Sequence, residues 1–234
     1  MEFLSEIDGV SGEVALATLL AEYGPMEERR SVPEERIAAQ IGRVPNLLID
    51  LWRAHGVGAI RDRGLWFAMP GTLDGVEARM FDGDPDLGGD TTIVAYGAMG
   101  NLLAWNMRHG PVLVVPVGGA VQVPGLFRPS ERLPDDAELL RYLRELHPFF
   151  FDQVDSENEQ MLERVRGRLS ALRAGQVYAL YPVQGLLGTS YGVENVAVDE
   201  IADYLGAVAT GKVLILHDYE GQSLNIREIG EGGR

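Results

Sequence analysis

Cysteine is absent from the 234-residue chain. That excludes a disulfide framework, thiolate metal sites and a cysteine nucleophile. Long apolar runs are absent as well, so no stretch approaches the roughly 18 residues of a membrane-spanning helix. The opening MEFLSEIDGV has neither the basic start nor the apolar core of a secretory signal. These absences predict a soluble, cytoplasmic protein. Basic charge is scarce: 20 Lys and Arg stand against 35 Asp and Glu, a net charge of −15. The deficit is spread along the chain, with 17 acids and 10 bases (−7) in residues 1–130 and 18 and 10 (−8) in residues 131–234. A nucleic-acid binder needs a concentrated basic face to neutralise phosphates. A field this negative repels nucleic acid instead and speeds encounter with basic partners.

Ligand and catalytic signals are sparse too. Histidines 55, 109, 147 and 217 show no i, i+4 pairing and no neighbouring ligands, so zinc is not expected. No phosphate-cradling glycine motif follows a strand. The expectation is no cofactor and no metal.

Apolar periodicity predicts helices over 13–23, 33–41 and after Pro45, where Leu47, Leu48, Leu51 and Trp52 share a face. Two β-prone runs flanking Arg61-Asp62-Arg63-Gly64 read as a hairpin, followed by a brief helix near 72–80. Runs at 91–97, 101–106, 111–117 and 120–123 are separated by glycine-rich turns, the pattern of an antiparallel meander. Trp66 and Trp105 lie in these runs and are expected in the core. Helices are predicted over 135–150, 156–173 and 198–210, the last capped by Asp199. Strands are predicted over 176–182 and 212–219. The fold class is therefore α+β: N-terminal helices, an antiparallel β-meander, then a smaller C-terminal helical α+β module. Predicted divisions are 1–150, 151–220 and a flexible tail over 221–234.

Gly188-Thr189-Ser190-Tyr191-Gly192 matches the G-x-S-x-G pattern of a hydrolase nucleophile. An elbow needs a strand running straight into the first glycine and a helix directly after the serine. Here the predicted strand stops near Pro182 and the helix starts well beyond Gly192, so Ser190 is not expected to be catalytic. The stretch Asp82-Gly83-Asp84-Pro85-Asp86 to Asp90 has the alternating acids of a calcium loop. Its sixth position is Leu87, where glycine belongs, and its twelfth is Ile93, where a bidentate acid belongs. A solvated acidic turn, or an acidic contact surface, explains it better. Two such clusters are candidates for partner binding: Asp82, Asp84, Asp86 and Asp90, and Asp152, Asp155, Glu157 and Glu159 at the presumed junction. The second is favoured, because a junction forms a natural concavity. Reversing Asp152 and Asp155 to Lys is expected to slow association with the partner while leaving thermal stability nearly unchanged.

Larger patterns carry a resemblance. LLIDLWRAHGVG…GLWFAMP (47–70) followed by IVAYGAMGNLLAWN (93–106) resembles the GAD-like family. The stretch from Met161 to Ala209 resembles the small C-terminal module of type VI secretion immunity proteins. Gly97, Gly100, Trp105, Gly188, Glu194 and Asn195 stand at the signature positions, where they are structural. Thr189 replaces a second glycine, and Asp203-Tyr204-Leu205 replaces the usual Glu-His-Leu. The resemblance implies an immunity protein that binds and neutralises a cognate nuclease (DNase) toxin in interbacterial competition, with no enzymatic activity. Its partner would be a secreted nuclease with a basic surface. A non-catalytic ligand-binding or scaffold module, and a serine hydrolase using Ser190, are the alternatives.

Overall fold

The computed structural model describes residues 12–147, 150–183 and 191–230. Among them lie eight α-helices and eleven strands in a mixed α+β arrangement. Helix α1 (Gly12–Tyr23) leads to strand β1 (Glu27–Arg30), then to helices α2 (Glu34–Ala38) and α3 (Asn46–Ala54). On α3, Leu47, Leu48, Leu51 and Trp52 are buried as their spacing requires. The helix lacks a cap of its own, but Asp136 from α6 (Asp135–Glu145) accepts a hydrogen bond from Leu47 N at 2.8 Å. A carboxylate there satisfies an orphan amide and complements the helix dipole.

The hairpin is β2 (Val57–Ile60) and β3 (Leu65–Phe67). Its turn holds Arg61, Asp62 and Arg63 at φ of 55°, 51° and 58°, which non-glycine residues adopt at a cost. Tertiary contacts hold the turn in place. The Arg61 guanidinium donates to Leu143 O at 2.8 Å and Arg144 O at 3.0 Å, filling the carbonyl end of α6, and lies 3.8 Å from the centroid of the Tyr23 ring.

The meander continues through α4 (Asp74–Met80), β4 (Thr91–Gly97), β5 (Leu102–Asn106), β6 (Gly110–Val115) and β7 (Ala120–Gln122). Its members join a nine-stranded sheet ordered β1-β2-β3-β4-β5-β6-β7-β10-β11. Every residue of β4 and β5 is buried, so both faces of the sheet centre are covered. Helices α1, α3 and α6 pack together, with α6 reaching β6, while α4 packs on β4 and on α8. Trp66 and Trp105 are 0% and 1% exposed. Trp66 sits opposite Tyr96 in register, stacks on it at 6.4 Å, and donates from Nε1 to Arg63 O at 3.0 Å.

After β7 come the short helix α5 (Pro124–Phe127), α6, and α7 (Leu162–Arg166). A two-stranded antiparallel sheet follows, β8 (Gln176–Leu180) with β9 (Val196–Glu200), and then α8 (Ile201–Gly211). This second unit docks on the β4–β5 turn. Tyr178 N donates to Ala98 O at 2.9 Å. A Cβ on Gly97 would lie 2.7 Å from Phe150 O, and one on Gly100, at φ +88°, 2.9 Å from Tyr204 Cε1. Glycine is required at both positions because the docked segment leaves no room. Strand β10 (Ile215–Asp218) then returns to the first sheet, parallel to β7, with β11 (Ser223–Glu228) at its edge.

Several expected elements differ. The helix expected over 156–173 is limited to Leu162–Arg166, since Asp155 folds the preceding residues into a turn. The Asp199-capped helix starts later: Asp199 is in β9 opposite Val177 and accepts from the Tyr181 hydroxyl, and α8 begins at Ile201. Residues 223–228, expected in a flexible tail, form β11. Strand β1 was not foreseen, because Glu27–Arg30 shows no apolar alternation. Its pairing with β2 places it at the sheet edge. No helix among the described residues is long and apolar enough to cross a membrane.

Candidate partner-binding surface

The 82–90 loop connects α4 to β4, and most of its charge is used internally. Asp84 is buried and accepts from Asp86 N and Leu87 N, each at 3.0 Å, and from Gly230 N at 3.2 Å. Both its oxygens pair with Arg227 on β11, and the same guanidinium reaches Asp86 at 2.8 Å. Burial pushes the Asp84 carboxyl up, but the Arg227 and amide hydrogen bonds outweigh it and hold the group below the usual aspartate range. Asp90 pairs with Arg108 at 2.9 Å, and Arg108 also donates to Asp86 O at 2.7 Å. Asn106 is fully buried and ties the loop to the meander through Asp86 O (3.0 Å) and Thr91 Oγ1 (2.9 Å). Only Asp82 of the four is exposed with no side-chain partner.

The 152–159 segment divides in the same way. Asp152 Oδ1 accepts from Met161 N at 3.1 Å and Leu162 N at 2.7 Å, capping the start of α7. Asp155 is buried, accepts from Glu157 N and Glu159 N at 2.9 Å each, and meets Arg164 at 2.5 Å. The Arg164 contact, with those amides, lowers its carboxyl below the ordinary value. Glu157 and Glu159 point to solvent. Reversing Asp152 and Asp155 would therefore break a cap and an ion pair, so the expectation of unchanged stability does not hold for them. A concavity of about 650 Å³ does lie at the junction, with Arg141, Tyr142, Asp152 and Val154 in its wall.

Of the eight candidates, three exposed carboxylates remain unspent: Asp82, Glu157 and Glu159. Gly188 and Ser190 lie outside the described residues. Asn195 caps a short 3-10 turn, accepting from Gly192 N at 2.9 Å, with Glu194 folded back over Gly192. Among the described residues no group of three or more His, Cys, Asp or Glu is placed to hold a metal ion.

Sequence reasoning passed over a second acidic feature, on α4. Glu77 Oε1 accepts from Ile93 N at 2.7 Å. Burial pushes its carboxyl up to about 7, with Asp74 adding to the rise and the Ile93 amide and Arg43 opposing it. The i, i+3 spacing of Asp74 and Glu77 was visible, but the desolvation of Glu77 was not.

Residues 14–117, from within α1 to just past β6, match the GAD-like domain. The match takes in Gly97, Gly100 and Trp105. It ends before the C-terminal unit. No curated protein matches the chain significantly. Among solved structures, the crystal structure of Atu4351 from Agrobacterium tumefaciens is similar over 92% of this chain and 98% of that one. The TM-score is 0.84 at 24% identity, a likeness of fold.

Proposed function

We propose that the protein is a non-catalytic immunity protein that binds a cognate type VI secretion nuclease in the cytoplasm and occludes its DNA-binding or active site. The observation that carries this reading is the GAD-like match over 14–117 on a chain of net charge −15. A DNA-cutting enzyme must present basic side chains to phosphates, and a strongly acidic partner competes for that face. Within the two acidic clusters, Asp82, Glu157 and Glu159 are free to make such contacts without unfolding the loops that carry them. Such an inhibitor needs no catalytic group of its own.

The test is direct. The chain is coexpressed with a candidate type VI secretion nuclease and copurified, and plasmid cleavage is measured with and without it. A stoichiometric complex that abolishes cleavage is expected, with affinity falling as salt rises. Undiminished cleavage at excess inhibitor would overturn the reading.

A further inference from the structure

A cleft of about 750 Å³ opens between the end of α2, helix α4 and the 82–92 loop, with Gln40, Arg43, Asp74, Glu77 and Asp82 in its wall. One of its polar groups lacks what folding normally supplies. Gln40 is 7% exposed, yet its side-chain amide has no hydrogen-bond partner. Glu77 beside it is half-buried and accepts one hydrogen bond, from Ile93 N through Oε1. Buried polar groups are almost always paired, and an orphaned one costs free energy. Here the Gln40 orphan and a Glu77 carboxylate from another element share one opening. The two ends of the Gln40 amide are near-isosteric, so a half-turn presents its oxygen to the cleft.

Charge narrows the ligand. Asp84 in the wall is already neutralised by Arg227. Arg43 is turned to Gly89 O at 3.1 Å. Its charge still counts, but Asp74, Glu77 and Asp82 outnumber it, and the net negative lining calls for a cationic donor. An ammonium is a compact, strongly hydrated charge. A guanidinium is planar, weakly hydrated and carries five donors in a fork, so it can bridge a carboxylate and an amide oxygen at once.

We propose that this cleft receives a guanidinium, the side chain of an arginine on the nuclease partner, held by Glu77 and Asp74 with Gln40 as the neutral third acceptor. The inference rests on the inhibitor reading for the source of the arginine. It fits that reading because arginine is a principal contact to DNA phosphate. A lined arginine pocket adds a fixed anchor to what free surface carboxylates supply by long-range attraction.

The experiment has two arms. In the first, N-acetylarginine methylamide is titrated into the ¹⁵N-labelled full chain, and the Ile93 backbone amide and the Gln40 side-chain amide are followed by NMR. Both resonances are expected to shift and saturate, with the lysine analogue binding severalfold more weakly. Glu77→Gln, which still offers an oxygen to Ile93 N, and Gln40→Leu should each weaken the arginine probe about tenfold. No saturable shift at either resonance, or wild-type affinity in Glu77→Gln, overturns the cleft. In the second arm, affinity for the nuclease is measured with the same variants. Unchanged affinity in both, with the wild type inhibiting, overturns the cleft and leaves the inhibitor standing. A probe that binds the cleft while no nuclease binds the chain overturns the inhibitor, and with it the assigned source of the arginine.

Discussion

The 82–90 loop and the 152–159 segment look alike as strings of acids, and each buries one aspartate against an arginine, but the two ion pairs span different distances along the chain. Asp155 meets Arg164 nine positions away and closes its own turn. Asp84 meets Arg227 from 143 positions away and fastens the last strand of the large sheet to the loop before β4. The partners differ in exposure as well: the Arg227 side chain is 21% exposed and that of Arg164 is 47%. A local pair of this kind shapes a loop. A long-range pair holds two regions of the fold together. In both places the buried charge is structural, and what is left for a partner is the exposed remainder.

The comparison is broken most directly by removing each aspartate. Asp84→Ala should cost about 2–4 kcal/mol in urea denaturation, because Arg227 is left with Asp86 alone and two loop amides lose their acceptor. Asp155→Ala should cost clearly less, since Arg164 can turn into water. Equal losses would dissolve the distinction. Asp84→Ala with Arg227→Met should recover part of the loss, since the double change also removes the arginine left with only Asp86.

A smaller effect separates paired from unpaired acids by pH. Glu77, with its folded pKa raised to about 7, keeps a proton in the folded state that the unfolded chain has released. Stability should therefore fall as pH rises from about 4.5 to 7, by roughly 2–3 kcal/mol from this group. Glu77→Gln should flatten that limb of the Tm profile. Asp84 has the opposite sign: its depressed pKa contributes stability above the unfolded aspartate value, lost as pH falls below it. A Tm profile that is the same in Glu77→Gln as in wild type would show that the carboxylate is not desolvated as described.

The smallest effect on folding is expected where charge is unspent. Reversal of Asp82, Glu157 or Glu159 to Lys should change stability by no more than about 0.5 kcal/mol. The same changes should slow association with the nuclease severalfold at low salt and weaken its salt dependence. Unaltered association rates in all three would remove the free acids as contacts.

Much of this architecture is legible in the residues. The α3 face, the Arg61–Gly64 hairpin, the β4–β7 meander and the two buried tryptophans follow from period and turn chemistry, which are local. What was missed is set by pairing. Glu27–Arg30 becomes a strand because β2 offers it an edge, and Ser223–Glu228 because β10 does. Val196–Glu200 pairs with β8, which overrides the helix-start signal at Asp199. The acids at 82–90 and 152–159 were visible, but Arg227, the residue that neutralises Asp84, lies on a strand that local pattern did not predict. Gln40 gave no signal at all, since an unpaired amide exists only once the neighbours that fail to pair with it are in place.

The parallel pairing of β10 with β7 has a consequence for synthesis. Strand β7 is made and positioned well before the chain reaches Ile215, and the second unit must emerge in between. At ordinary elongation rates that interval lasts several seconds. Throughout it the meander presents an open β7 edge, with backbone groups ready to pair with a neighbouring nascent chain. Arg227 is made later still, so Asp84 waits as a lone charge while the sheet around it is already built. Completion of the fold, and not only its final stability, depends on the last strands arriving.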